Sequence, residues 1–540
     1  VPSPETPTSA NTPGPRAFPD QRAHAEPHGS PTPGPRRVAV LADSDTRWKW
    51  GASTARRLAP GAVIDGLLLR GRATPTPRQL AEVGVTVDVL REVTTREFLR
   101  AATGPGGYDM IVLACVGGAV QAMLHGLRRA TAGTEEGAPA HRPVVVTGYV
   151  GVVYEKLTDG LLLRHGADLV LANSAHDTDR FRAVYEGVGA PADGVLECTL
   201  PFLTDTRPAP GAPGTTVTPR AGDGRATPTP RGRDEAVTPQ DGDEAVTPQD
   251  GDDSLTPQAG NGRDTFTVVF AVQPSVPASR EDRAYLLRRA VAHALRYPER
   301  EVLIKLRSKP GEHTTHIEEL PYQKLVRKLP GGDGTGGGLP ANCRLVYGNM
   351  GALLDRVRRT GGLLVTVSST AALESLHRHV PTAVLTDLGV REGLGNHYFT
   401  GSGCLASWDE LDDGLLPEAD PRWALRQGVR GGDGYAAARE RVAALAVRSA
   451  RTGLPPLTPY YTARTAPGYL PGILRRYGLG PDGTPVGPAA GSGGADDEEP
   501  GAVGAAGRGL LRRVVREAAR GAYRHGVQRV APLIRKAGEL

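Results

Sequence analysis

The sequence predicts an α/β chain built from two Rossmann-like, doubly wound domains facing a cleft. Three observations predict it. Short, near-continuous apolar runs alternate with helical stretches over 37–201 and again from 267 to 385, the texture of parallel sheets covered on both faces. Residues 205–263, with few apolar side chains, separate the two blocks. Polar or glycine residues stand directly after several of the strands, where a doubly wound sheet meets its ligand.

Residues 1–35 are rich in Pro, Ser, Thr and Gly and are expected to be a disordered tail. The first domain, 36–204, is expected to carry strands at 37–42, 62–69, 85–90, 109–116, 143–148 and 167–173. Helices fall between them at 49–58, 77–83, 95–102, 118–130, 154–165 and 175–187, and V-L-E-C-T-L-P (195–201) ends the block. Residues 205–263 contain D-E-A-V-T-P-Q-D-G twice in tandem (234–242 and 243–251) and a decayed third copy. Nine residues with few apolar side chains cannot stack into a solenoid, so this is expected to be a solvated linker. Calcium binding by its acids is not favoured, because their spacing fits no Ca²⁺ loop.

The second domain, 264–477, is expected to hold strands at 267–272, 301–306, 343–347, 363–367 and 383–385, with helices at 279–296, 315–326 and 349–357. Pieces at 435–450 and 468–477 are expected to close it. A linker rich in Gly, Pro and acids (478–507) precedes a basic segment, 508–540, whose helix over 508–536 is amphipathic. It could lie on an anionic membrane surface, or pack on a domain or partner.

Composition narrows the class. With 540 residues and a net charge of only +5, nothing argues for nucleic acid as a partner. The four cysteines are far apart and form no CxxC pair, which speaks against a zinc site or disulfide framework. No apolar leader is evident, and the longest uncharged run, Met110–Leu124, is too short to span a bilayer. A cytoplasmic protein, peripheral on the inner face of the plasma membrane, is the expectation.

The most informative stretch is Leu363–Asp387, L-L-V-T-V-S-S-T-A-A-L-E-S-L-H-R-H-V-P-T-A-V-L-T-D. It reads as strand, hydroxyl turn, helix and strand, a parallel β-α-β unit. Ser368, Ser369 and Thr370 offer donors to a phosphate where the helix begins, and Glu374 could accept from a sugar hydroxyl. The competing reading is that Ser369 or Thr370 merely caps the helix. Lys305, Arg307 and Lys309 alternate at a strand exit and so share a face, as companions for that phosphate or as a protected sheet edge.

In the first domain Asp43 and Asp45 follow a strand directly; one is expected to cap the next helix and the other to face the cleft. Gly117 and Gly118 permit close approach to a ligand or form a tight turn. Glu155 and Asp159 lie four apart on one helix face. His397 could reach the cleft, though packing is the commoner role for such a histidine. No His/Asp cluster suggests a metal, and no cofactor is expected.

These motifs carry a resemblance. A-D-S-D-T-R-W-K-W-G-A (42–52), G-Y-V-G-V-V-Y-E-K-L-T-D-G (148–160) and V-S-S-T-A-A-L-E-S-L (367–376) make the chain resemble bacterial glycosyltransferases of the two-Rossmann-domain (GT-B) type. Among them it is similar to uncharacterised transferases of GC-rich bacteria. The resemblance covers roughly 37–204 and 265–415. The last motif is similar to the Ser-Ser/Thr motif of sialyl- and polysialyltransferases, which contacts the phosphate of CMP-sialic acid. Those families also hold the nucleotide with a His-Pro pair; here Lys309-Pro310 stands in its place. Their general base comes from an Asp/Glu-Gly motif, which T-D-G (158–160) matches loosely.

The resemblance implies a metal-independent glycosyltransferase that uses a nucleotide sugar as substrate, a CMP-nonulosonic acid being one donor that fits. The acceptor would be a glycan or lipid-linked acceptor of the cell envelope. Alternatives are a nucleotide-sugar epimerase or glycerophosphotransferase of the same fold, or a non-catalytic scaffold recruiting partners through its disordered segments.

Overall fold

The computed structural model describes residues 34–104, 106–132, 140–151, 157–203, 265–309, 312, 320–329, 338–429 and 431–486. The tail 1–33, the repeats 204–264, the basic helix and most of the linker before it lie outside the described residues, as does Glu155.

The first lobe alternates β1 (Arg37–Ala42), α1 (Asp45–Leu58), β2 (Val63–Leu69), α2 (Pro77–Val83), β3 (Val89–Val93), α3 (Thr95–Thr103) and β4 (Met110–Ala114). It continues through α4 (Gly117–Ala130), β5 (Val144–Gly148), α5 (Leu157–Leu162), β6 (Leu169–Ala172), α6 (Ala175–Gly187) and β7 (Val195–Glu197). Its seven strands form one parallel sheet ordered β3-β2-β1-β4-β5-β6-β7. Central β1 is apolar at Val38–Ala42 because helices cover both faces, and these five residues are 0% exposed. Helix α1 lies very close to the sheet: a Cβ on Gly51 would come within 2.6 Å of Ala114 Cβ. That approach seats the middle of α1 directly on β1 and β4.

The second lobe runs β8 (Thr267–Ala271), α7 (Arg280–Arg296), β9 (Glu301–Lys305), α8 (Tyr322–Val326), β10 (Cys343–Val346), α9 (Met350–Thr360) and β11 (Gly362–Thr366). Then come α10 (Ala371–His377), β12 (Thr382–Leu385), β13 (Leu405–Ala406) and α11 (Trp408–Asp412). Its six parallel strands are ordered β10-β9-β8-β11-β12-β13. Both doubly wound sheets expected from the sequence are therefore present.

Several details differ from expectation. The third strand is Val89–Val93 rather than 85–90, because the Asp88 carboxylate accepts the Ile64 amide (2.8 Å) and ends the preceding turn. After α12 (Pro421–Arg426), helices α13 (Ala436–Thr452) and α14 (Leu470–Arg476) do not close the second sheet. They return to the first, α13 against α1, β5 and β7, and α14 against α4. Buried Tyr435 and Val442 share a core with Trp48 and Trp50, and Leu470 and Leu474 one with Leu113 and Met123. Finally, residues 478–485 of the expected linker pack: Leu479 is buried and the Gly480 amide donates to Thr484 O (2.8 Å). Both lobes fall within one compact unit ending at Pro485.

Candidate functional site

Each sheet reverses its strand order once, between β1 and β4 in the first and between β8 and β11 in the second. Chains leave such a point in opposite directions and open a crevice at the carboxyl ends of the strands. Both crevices are bridged in the same way. Asp43, just past β1, accepts from the Val116 amide past β4 (2.9 Å) and from Arg47 (2.9 Å). Gln273, past β8, accepts from the Ser368 amide past β11 (2.9 Å), with its Nε2 3.3 Å from Ser368 Oγ. Behind Gln273, buried Arg283 donates to the carbonyls of Gln273, Pro274 and Pro277 (3.1, 3.0 and 3.4 Å) and lies 4.5 Å over the Tyr322 ring. The loop at the second crevice is thus held from its buried side.

The hydroxyl turn divides its tasks. Ser369 Oγ accepts from the Ala371 amide (3.2 Å), and Thr366 Oγ1 accepts from the Ser369 amide (3.3 Å), so Ser369 satisfies a first-turn donor of α10. Thr370 makes no capping bond from its side chain. It meets the other lobe: a Cβ at Gly151 would sit 2.6 Å from Thr370 Oγ1, and Gly151 also has a φ of +84°, which favours glycine there twice over. Glu374 is buried and pairs with Lys49 of α1 (3.4 Å) and with Arg378 (3.4 Å).

The expected cations separate. Arg307 crosses to the first lobe, donating to Asp45 Oδ1 (2.7 Å) and to the Thr46 hydroxyl. Burial tends to raise the Asp45 carboxyl, but the Arg307 charge and hydrogen bonds, with those of Thr46, outweigh it and hold the group below its ordinary value. Lys305 is buried against Glu82 of α2 (3.1 Å) and donates to Leu306 O (2.7 Å); burial lowers its pKa despite Glu82. Glu82 also pairs with Arg78 (2.7 Å), and Arg78 grips Glu312 with Nε (2.6 Å) and with Nη2. Lys309 donates its amide to Glu312 (2.8 Å) and holds its ammonium 5.7 Å from the Tyr347 ring centre.

Asp159, in the first turn of α5, accepts from the phenols of Tyr461 (3.0 Å) and Tyr469 (3.3 Å), both brought by the returning C-terminal segment. Gly117 is a packing glycine: a Cβ there would meet Leu163 at 2.8 Å. Gly118 has room, with Ile473 and Tyr477 3.9 Å away. His397 lies in a 3-10 turn, Asn396–Phe399, and is half-buried. Asp45, Lys305, Arg307, Thr370 and Glu374 are thus joined to the opposite lobe, whereas Asp43, Ser368 and Ser369 brace their own. Lys49 stands within the 42–52 motif but nothing singles it out there, and the tyrosines and Gln273 carry no motif; for Gln273 the one mark in the sequence is its place after a strand.

Asp177 in the first turn of α6, at the ligand end of β6, is buried, and burial pushes its carboxyl up to about 6 despite Arg180 and the Asn173 amide. A raised folded-state value means a stability contribution present below the ordinary carboxylate range and lost as pH rises through about 6. Asp177→Asn is therefore expected to be more stable than wild type at pH 8, by at most roughly 3 kcal/mol. The difference should vanish by pH 4; urea midpoints at the two pH values check it.

Among the described residues no group of three or more His, Cys, Asp or Glu side chains is placed to hold a metal ion. No described helix is long and apolar enough to cross a membrane.

Comparison with known proteins gives remote structural likenesses. Staphylococcus aureus MnaA, in a structure with UDP, is 9% identical with a TM-score of 0.41, over 76% of this chain and 96% of that one. The UDP-N-acetylglucosamine 2-epimerase of Rickettsia bellii is 10% identical with a TM-score of 0.41, over 77% and 95%. The glycosyltransferase SnogD of Streptomyces nogalater is 17% identical with a TM-score of 0.31, over 78% and 97%. No curated protein matches the sequence. A family profile, however, matches residues 38–222 and 249–445, and the chain belongs to that family, described as "Putative glycosyltransferase (DUF6716)".

Proposed function

We propose that the chain transfers a sugar from a nucleotide-activated donor, a CMP-nonulosonic acid being one that fits, to a glycan or lipid-linked acceptor of the cell envelope. In this reading the reaction is metal-independent acid/base transfer, as the GT-B resemblance implies, at the cytoplasmic face of the membrane with 508–536 on anionic lipid. The supporting observation is the Asp45–Arg307 pair at 2.7 Å. It sets a carboxylate beside the exit of β1 against a guanidinium beside the exit of β9, in a chain whose family is described as glycosyltransferase.

The attacking acceptor hydroxyl must lose a proton, which calls for a carboxylate within hydrogen-bond reach. The departing nucleotide phosphate gains charge, which calls for a cation and donors. Asp45 is assigned the base role because it faces the other lobe across its contact with Arg307, whereas Asp43 braces its own lobe through the Val116 amide and Arg47. Arg307 takes the phosphate, with Thr370 and the Ser368–Gln273 bridge shaping the crevice; Lys305 serves the joint between the lobes instead. Asp45 and Arg307 neutralise each other, and the donor phosphate displaces Asp45 from Arg307.

Calorimetric titration with CMP, UDP and GDP tests the reading. One of the three is expected to bind, and Arg307→Ala to weaken it at least about tenfold, the loss of one charge-assisted bidentate contact. Binding by none would contradict it.

A further inference from the structure

The return of the C-terminal segment to the first lobe leaves a group of side chains without a task in the donor chemistry. The Asp159 carboxylate accepts from two phenols, Tyr461 at 3.0 Å and Tyr469 at 3.3 Å. Among the described residues it makes no ion pair, whereas Asp43, Asp45, Glu82, Glu312 and Glu374 each hold an Arg or Lys. It stands in the helix turn after β5, on the same end of the sheet as the Asp43 crevice.

The rings are fixed in place. Tyr461 O accepts from Gln121 Nε2 (3.1 Å) and lies 2.9 Å from His125 Nε2. Tyr460, Tyr461 and Tyr469 form an edge-to-face ladder, with centroids 5.3 Å apart at each step. The last ring is open to solvent: Tyr469 is 43% exposed. Burial, then the neighbouring Asp159 charge, raises the pKa of that phenol, so it stays a hydrogen-bond donor at neutral pH.

A fixed aromatic face beside a carboxylate with polar donors matches the chemistry of a sugar ring. The C–H face of a pyranose covers an aromatic face, and vicinal hydroxyls donate charge-assisted hydrogen bonds to a carboxylate. We infer that Tyr469, Asp159 and Tyr461 form the acceptor subsite and that the acceptor end bound there is a saccharide, with Asp159 a binding group rather than the base. The inference rests on the glycosyltransferase reading for the word acceptor, though saccharide binding at this place stands by itself.

Saturation-transfer NMR on the full chain with cellobiose, chitobiose and lactose tests it. Transfer from aromatic protons to sugar C–H protons is expected for at least one disaccharide. It should fall at least fivefold in Tyr469→Ala and Asp159→Asn and persist in Tyr469→Phe, which keeps the ring. Affinity for CMP, UDP or GDP, measured on the same preparations, should change less than twofold. No transfer to any of the three sugars, or equal transfer in Tyr469→Ala, overturns the inference. Saccharide transfer without affinity for any nucleotide supports the subsite and defeats the donor reading alone.

Discussion

Asp45→Asn is expected to slow sugar transfer about 10²–10⁴-fold while leaving the chain folded. The amide keeps the shape and can still accept from Arg307 and Thr46, but it cannot take a proton from the acceptor. The pair it weakens is mostly buried, with side-chain exposures of 14% for Asp45 and 27% for Arg307, but the amide keeps its hydrogen bonds, so the change in unfolding free energy should stay within about 2 kcal/mol. Nucleotide release from a CMP-, UDP- or GDP-sugar in the presence of acceptor checks the first number, and urea denaturation the second. Asp43→Asn carries the opposite expectation: its carboxylate braces Val116 and Arg47, so lost activity there should come with lost stability.

The second large effect concerns the joint between the lobes. Glu82 stands between Arg78 (2.7 Å) and buried Lys305 (3.1 Å), and its carbonyl accepts from Asn349 (2.9 Å). Removing it with Glu82→Ala leaves Lys305 in a site only 6% exposed with the Leu306 carbonyl as its remaining acceptor among the described residues. Breaking a buried pair from one side typically costs about 3–5 kcal/mol, and that loss is expected in denaturant unfolding. Lys305→Met should cost far less, on the order of 1 kcal/mol, because Arg78 still neutralises Glu82. Combining the two should recover much of the Glu82→Ala loss. Equal, additive effects would mean that the ammonium and the carboxylate do not depend on each other.

The contrast between Lys305 and Arg307 shows where sequence is informative and where it stops. Period-2 spacing puts Lys305, Arg307 and Lys309 on one side of an exiting strand, but says nothing about what faces that side. What faces it is α2 and the head of α1, more than 200 residues away in the chain. The sheets were legible because parallel strands buried on both faces read as apolar runs such as Arg37–Ala42 and Thr267–Ala271. β13 was not, since Leu405–Ala406 is too short to show a pattern.

The destination of α13 and α14 was not legible either. Their apolar residues announce helices with a buried face, and nothing local says which sheet receives it. That ambiguity hid Tyr461, Tyr469 and Tyr477 from any reading of the first lobe. The hydroxyl turn was half legible: Ser369 takes the capping role that its residue type commonly has, while Thr370 reaches Gly151.

Asp45 and Arg307 hold each other and part when donor phosphate arrives. Calorimetric titration of Asp45→Asn with the nucleotide that binds wild type tests it most directly. The expected Kd equals wild type or is up to about tenfold tighter, since Arg307 no longer gives up a carboxylate to receive the phosphate. Binding weakened tenfold or more in Asp45→Asn would contradict it, because Asp45 would then be holding the nucleotide rather than competing with it.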